Sequence, residues 1–125
     1  MCIRDRAKDI SKKVAITERL YQFACVERGL PPTDLFIDPL TFTICTGNKD
    51  DRKLAIMTLE AIQTISEKLP QLQIILGLSN VSFGLHPTAR HVLNSVFLHE
   101  ALRSGLTAAI VDLSLIHISE PTRPY

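Results

Sequence analysis

The sequence has no tryptophan, only three cysteines and almost no excess of charge. Its 14 basic and 13 acidic residues give a net charge of +1, which argues against the basic face of a nucleic-acid-binding domain. No apolar run approaches the roughly 20 residues that cross a membrane, so we expect no membrane partner. The cysteines lack paired spacing, which argues against a disulfide framework or zinc site and favours a reducing, cytoplasmic location.

The two ends of the chain differ from the middle. Residues 1–6 read MCIRDR and residues 113–118 read LSLIHI. DNA that encodes the first segment is the reverse complement of DNA that encodes the second, and the pair resembles the mosaic end of a transposon-based sequencing adapter. We therefore interpret residues 1–6 and 113–125 as adapter-like artefacts and residues 7–112 as one partial natural domain.

Apolar residues recur at helical spacing in three parts of the chain. The pattern predicts helices over residues 8–28 and 52–68, and a third that opens at Pro87 or Thr88. Gly105 is the expected end of the third helix, because helices often end at a residue in the left-handed conformation.

Three short apolar runs alternate with these helices, over residues 35–38, 73–78 and 108–111. Strands that alternate with helices of this length predict an α/β fold whose parallel strands are joined by right-handed crossovers. Consecutive apolar positions predict strands that are buried on both faces. No glycine-rich phosphate loop follows any strand, which disfavours a dinucleotide-binding fold.

Polar side chains stand where two of these strands end. Asp38 follows the first strand, and Asn80 follows the second within the loop over residues 79–87. In barrels of parallel strands, the active site is built from residues at the carboxyl ends of the strands. The sequence therefore predicts a ligand site that contains Asp38 and Asn80.

Four segments resemble the pterin-binding methyltransferase family. They are residues 29–40 (GLPPTDLFIDPL), 76–84 (LGLSNVSFG), 94–98 (NSVFL) and 105–111 (GLTAAIV). The resemblance covers most of residues 8–112. Members of the family bind methyltetrahydrofolate and transfer its N5-methyl group to a corrinoid (cobalamin), as in methionine synthesis. Dihydropteroate synthase is a more distant relative.

The resemblance implies a (β/α)8 TIM barrel, of which this chain would supply the C-terminal portion from about helix 5 to strand 8. It also implies that the corrinoid is bound by a separate domain or protein. Further pterin-contacting residues would lie on early strands that this chain lacks. We therefore expect the fragment alone to be inactive, although its full-length parent would be a methyltransferase.

The family resemblance gives Asp38 and Asn80 their roles. Asp38 would accept the ring N–H and the exocyclic amino group of the pterin, because a carboxylate forms strong charge-assisted hydrogen bonds. Asn80 would be the catalytic residue, since its amide contacts the region of N5 and favours the positive charge that develops there. The alternatives are that Asp38 only caps a turn and that Asn80 only fixes its own loop.

Three further residues are candidate substrate contacts by the same resemblance. Ser79 and Ser82 would bond the pterin ring or support Asn80, and Arg90 would meet the ring or the folate tail. The alternative for Arg90 is a solvated side chain without a role in binding.

Other chemistries find little support in the sequence. The three histidines at 86, 91 and 99 lack the spacing of a helical ligand pair, so we expect no metal site. Cys25 and Cys45 have no neighbouring base, which disfavours a nucleophile. A dihydropteroate-synthase-like enzyme would carry a lysine within 76–84, and this segment has none. A non-catalytic fragment that binds another chain through exposed edges is the remaining alternative.

Overall fold

The computed structural model describes residues 9–115, so residues 1–8 and 116–125 lie outside it. The interpretation of residues 1–6 and of most of 113–125 as adapter-like therefore concerns residues outside the described part. Helices and strands alternate in the order α1 (Ile10–Tyr21), β1 (Phe36–Ile37), α2 (Leu54–Lys68), β2 (Gln73–Gly77), α3 (Pro87–Ser104) and β3 (Ala108–Ile110).

The first predicted helix has an α-helical and a π-helical part. Asp9 caps α1 at its start, where the carboxylate accepts from the Ser11 amide at 3.3 Å. After Tyr21 the chain continues as a π-helical turn over Gln22–Glu27. Gly29 follows with φ of 78°, a conformation that glycine adopts without steric cost.

The three strands form one parallel sheet in the order β1-β2-β3. Ile37 pairs with Ile74, and Leu76 pairs with Ala109. The predicted α/β alternation with parallel strands is confirmed. The strands are shorter than predicted, and β1 ends just before Asp38 and Pro39, where the missing proline N–H removes a ladder donor.

Helices cover one face of the sheet. The covered face carries Ile37, Ile74 and Leu76, which are buried against the apolar sides of the helices. The opposite face carries Phe36, 54% exposed, and Ile110, 65% exposed. The prediction that the strands are buried on both faces is therefore wrong for the described residues, because no second layer among them lies over that face.

The connection from α3 to β3 requires glycine. Pro87 opens α3 as predicted, and Gly105 follows its last residue with φ of 122°. A Cβ atom at this position would lie 2.5 Å from Ser66 Oγ of α2. Gly105 therefore allows α3 to turn closely over α2 before β3 begins.

Candidate functional site

Polar residues follow all three strands at the same edge of the sheet. Asp38 follows β1, Ser79 and Asn80 follow β2, and Asp112 follows β3. Since the strands are parallel, their carboxyl ends lie on one side. Ser79 Oγ accepts from the Asp112 backbone N–H at 3.2 Å, which joins the second and third of these loops.

The loop after β1 is organised by Asp38. Its Oδ1 accepts from the Leu40 N–H at 2.8 Å, and Leu40 has φ of 69°. Asp38 therefore does cap a turn, as the alternative interpretation expected. Its side chain is exposed, and an ionised carboxylate has about four acceptor positions, so most of its acceptor capacity is open to solvent.

A buried lysine on α1 also holds this loop. Lys13 of α1 is only 4% exposed, and its Nζ donates to the Leu40 carbonyl and to Thr58 Oγ1, both at 3.2 Å. Thr58 Oγ1 also donates to the Leu40 carbonyl at 3.1 Å. Burial lowers the pKa of Lys13 to about 8, while the nearby charge of Asp38 opposes that shift.

Lys13 was missed by the sequence reasoning. Its position next to Val14, and four residues before Thr17, places it on the buried side of α1. The signal in the sequence was a lysine at a helical position that faces the core. Lysine is almost never fully buried without partners, so this position indicates a side chain with specific contacts.

The loop after β2 is a 3₁₀ turn, Leu78–Ser82, rather than the irregular loop that the sequence predicted. Asn80 is exposed at its middle, and its backbone carbonyl accepts from the Phe83 N–H at 3.2 Å. Among residues 9–115, no hydrogen bond to the Asn80 side chain is present. The amide therefore does not fix its own loop within the described part of the chain.

Arg90 and Ser82 hold this turn from the protein side. Arg90 donates from Nε to Ser82 Oγ and from Nη2 to the Ser79 carbonyl, each at 3.0 Å. Ser82 Oγ donates to Asn94 Oδ1 at 2.6 Å, and both of these side chains are fully buried. Arg90 is thus not simply solvated, and Ser82 supports the turn that carries Asn80.

Asn94 and Asp112 are further residues that the sequence reasoning did not select for the site. Asn94 lies within the NSVFL motif, three residues before the buried Phe97, so its core-facing position was visible. Asp112 is exposed, and hydrogen bonds from the Ser114 hydroxyl and N–H, followed by the charges of Arg90 and His91, lower its pKa.

The first two loops also contact each other. Thr43 Oγ1 donates to the Phe83 carbonyl at 2.7 Å, and the Ile44 N–H donates to the Val81 carbonyl at 3.2 Å. The chain that leaves the Asp38 turn is therefore tied to the turn that carries Asn80. A shift of one loop is transmitted to the other through these bonds.

Two kinds of site are not found in the described part of the chain. Within residues 9–115, no three His, Cys, Asp or Glu side chains converge as metal ligands. In the same range, no helix has the length and apolar character needed to cross a bilayer. Cys25 and Cys45 are unpaired thiols.

A carboxylate and an unengaged amide lie at the carboxyl edge of parallel strands, which is where α/β barrels place their ligand sites. Residues 2–112 match the family model described as pterin binding enzyme, and the chain belongs to that family. The family resemblance inferred from the sequence is confirmed.

Two curated relatives are methionine synthases. The chain is 49% identical over 111 residues to methionine synthase of Mycobacterium tuberculosis, which is 89% of this chain and 9% of that protein. It is 48% identical over 111 residues, with the same coverage, to methionine synthase of Mycobacterium leprae. The chain therefore spans about a tenth of the length of these relatives.

Proposed function

We propose that this chain is the part of a (β/α)8 barrel, from about helix 5 to strand 8, that binds the pterin of methyltetrahydrofolate. In its full-length parent it would support transfer of the N5-methyl group to a corrinoid. The observation that carries the proposal is the placement of Asp38 and Asn80 after neighbouring parallel strands. The exposed apolar face with Phe36 and Ile110 supports a barrel, because barrel interiors are filled by such side chains.

Asp38 is the proposed anchor for the pterin ring. One lone pair of its Oδ1 is used by the Leu40 N–H, which leaves the second oxygen and further lone pairs for a ligand. A ring N–H and an adjacent exocyclic amino group are parallel donors that a carboxylate accepts as a pair. The turn thus orients the carboxylate without using up its acceptors.

Asn80 is the proposed catalytic residue. Its amide is exposed on a turn that is held by bonds to buried side chains, so the backbone that carries Asn80 is held before the ligand arrives. The methyl group leaves N5 more readily when that nitrogen gains a proton, and the amide oxygen of Asn80 can stabilise the resulting charge. Ser79, Ser82 and Arg90 would contribute mainly by supporting this turn.

The corrinoid belongs to another domain or protein in this proposal. The described residues provide no metal-ligand cluster, and none of them is assigned to hold the corrinoid. When bound, that group supplies the acceptor for the methyl group. The unpaired Cys25 and Cys45 are compatible with the reducing cytoplasm that we propose for the parent.

The test is a chimera in which residues 7–112 replace the matching segment of the Mycobacterium tuberculosis methionine synthase. In this protein, Asp38→Ala should weaken methyltetrahydrofolate binding tenfold to a hundredfold, because a hydrogen bond to a charged group contributes about 1.5–3 kcal/mol. Asn80→Ala should lower the methyl-transfer rate more than it weakens binding. Calorimetric binding and single-turnover kinetics measure the two effects.

Matched controls separate these effects from general damage to the segment. Asp34→Ala removes an exposed carboxylate four residues before Asp38, and Asn48→Ala removes an exposed amide whose Oδ1 accepts from the Asp50 N–H. Both controls should leave binding and turnover close to those of the unsubstituted chimera. Equal binding and turnover in the Asp38 and Asn80 variants and in the controls would contradict the proposed function.

A further inference from the structure

We propose that Lys13 is a positioning residue for the Asp38 carboxylate and makes pterin capture sensitive to alkaline pH. The inference rests on the proposed function of Asp38. The basis of the inference is that hydrogen bonds hold both backbone polar groups of Leu40. The Leu40 N–H donates to Asp38 Oδ1, and the Leu40 carbonyl accepts from Lys13 Nζ and Thr58 Oγ1. A shift of the whole Leu40 backbone away from Lys13 also displaces the N–H that orients Asp38.

The backbone of Leu40 needs this support. Its φ of 69° is in the left-handed region, which is uncommon for a leucine side chain. Such conformations persist where surrounding contacts fix them. The Lys13 contact comes from α1 and the Thr58 contact from α2, so two helices hold one residue of the loop.

The charge on Lys13 strengthens this clamp. Lys13 faces the Leu40 carbonyl and the Phe42 ring from the loop, and the neutral Thr58 hydroxyl from α2. Asp38 is the charged group within residues 9–115 that acts on it. When the ammonium loses its proton near pH 8, the amine still donates, but charge-assisted hydrogen bonds are roughly twice as strong as neutral ones.

Binding and folding stability should therefore respond to pH in opposite directions. The folded state releases the Lys13 proton at about pH 8, whereas the unfolded chain keeps it to about 10.5. Between these values the unfolded chain binds more protons, so the Lys13 contribution makes the free energy of unfolding rise with pH. Over the same interval, the weaker hold on Leu40 loosens Asp38 and weakens pterin binding.

The experiment measures the dissociation constant of methyltetrahydrofolate for the full-length chimera from pH 7 to pH 9. We expect it to rise threefold to tenfold with a midpoint near pH 8. Lys13→Met should bind more weakly at pH 7 and lose this transition, and Lys13→Arg should restore tight binding without the transition. Lys12→Met, an exposed lysine on the same helix, should keep the profile of the unsubstituted protein.

Reciprocal linkage provides a readout that needs no substitution. If protonated Lys13 favours the ligand, the bound ligand must favour protonated Lys13 by the same factor. Competitive acylation with mass spectrometry should therefore find the Lys13 pKa raised by about half a unit to one unit when methyltetrahydrofolate saturates the site. This measurement decides the question even where Lys13→Met fails to fold.

The outcomes distinguish the two proposals. Binding that depends on Asp38 but is flat with pH, with an unchanged Lys13 pKa, overturns the role of Lys13 and leaves the proposed function standing. A transition that persists in Lys13→Met assigns the pH dependence to another group and also overturns it. Binding that ignores Asp38→Ala overturns both proposals together.

Discussion

The loops after β1 and β2 are both anchored by a cation on a helix that donates to a backbone carbonyl. In the first loop Lys13 holds the Leu40 carbonyl, and in the second Arg90 holds the Ser79 carbonyl. The two cations differ in a way that matters. Lysine is a point charge whose pKa shifts on burial, whereas arginine is a planar fork that stays charged and donates from separate nitrogens.

The backbones that these cations hold differ as well. The first loop contains a leucine at φ of 69° and an exposed carboxylate that caps its own turn. The second is a regular 3₁₀ turn supported by the fully buried Ser82 and Asn94. The loop proposed for chemistry is therefore held by buried uncharged side chains and a permanently charged arginine, whereas the hold on the loop proposed for ring capture includes a lysine that can lose its charge.

The largest expected effect follows from breaking the second loop at Asn94. Asn94→Leu keeps the size of the side chain but removes the acceptor of the Ser82 hydroxyl at 2.6 Å. A buried polar group without its partner costs about 1–3 kcal/mol, so the free energy of unfolding should fall by that amount. Urea denaturation of the 125-residue chain, followed by circular dichroism at low protein concentration, measures the loss.

The exposed His99 on the same helix supplies the matched control. His99→Leu introduces the same side chain at the surface and should change stability by less than about 0.5 kcal/mol. If both variants unfold at the same urea concentration, the Ser82–Asn94 bond does not support the Asn80 turn, and the contrast between the loops is lost.

A smaller effect should follow when the arginine fork is replaced. Arg90→Lys has one nitrogen in place of Nε and Nη2, so it cannot reproduce the geometry of both bonds, and the loss of one of them costs about 1 kcal/mol. In the chimera, the methyl-transfer rate should fall while binding changes little, because the Asn80 turn is loosened.

Arg103→Lys is the control for the arginine substitution, since Arg103 is exposed and only meets Glu100 at 3.8 Å. It should change neither rate nor binding. A methyl-transfer rate in Arg90→Lys that equals the control would show that the fork does not position Asn80.

The sequence predicted the elements better than the contacts that hold the site. Helical spacing and short apolar runs predicted the parallel α/β order, and the polar strand ends predicted Asp38 and Asn80. Lys13 was not predicted because its partners lie 27 and 45 residues further along the chain. The apolar run around Ala108 predicted a strand that is buried on both faces. An apolar strand face has the same sequence pattern whether or not a second layer covers it, so the sequence could not show that this face is uncovered.

The smallest expected effect concerns two neighbouring threonines of the first loop. Thr41 is 8% exposed, and its hydroxyl has no hydrogen-bond partner within residues 9–115, whereas the Thr43 hydroxyl donates to the Phe83 carbonyl at 2.7 Å. Thr41→Val removes an unpaired buried hydroxyl at constant shape and should stabilise the chain by up to about 1 kcal/mol. Thr43→Val breaks one of the bonds between the two loops and should destabilise the chain by about 1 kcal/mol. Urea denaturation of both variants compares them directly. A loss of stability in Thr41→Val as large as that in Thr43→Val would contradict this comparison, because it would mean that the Thr41 hydroxyl does bond a partner.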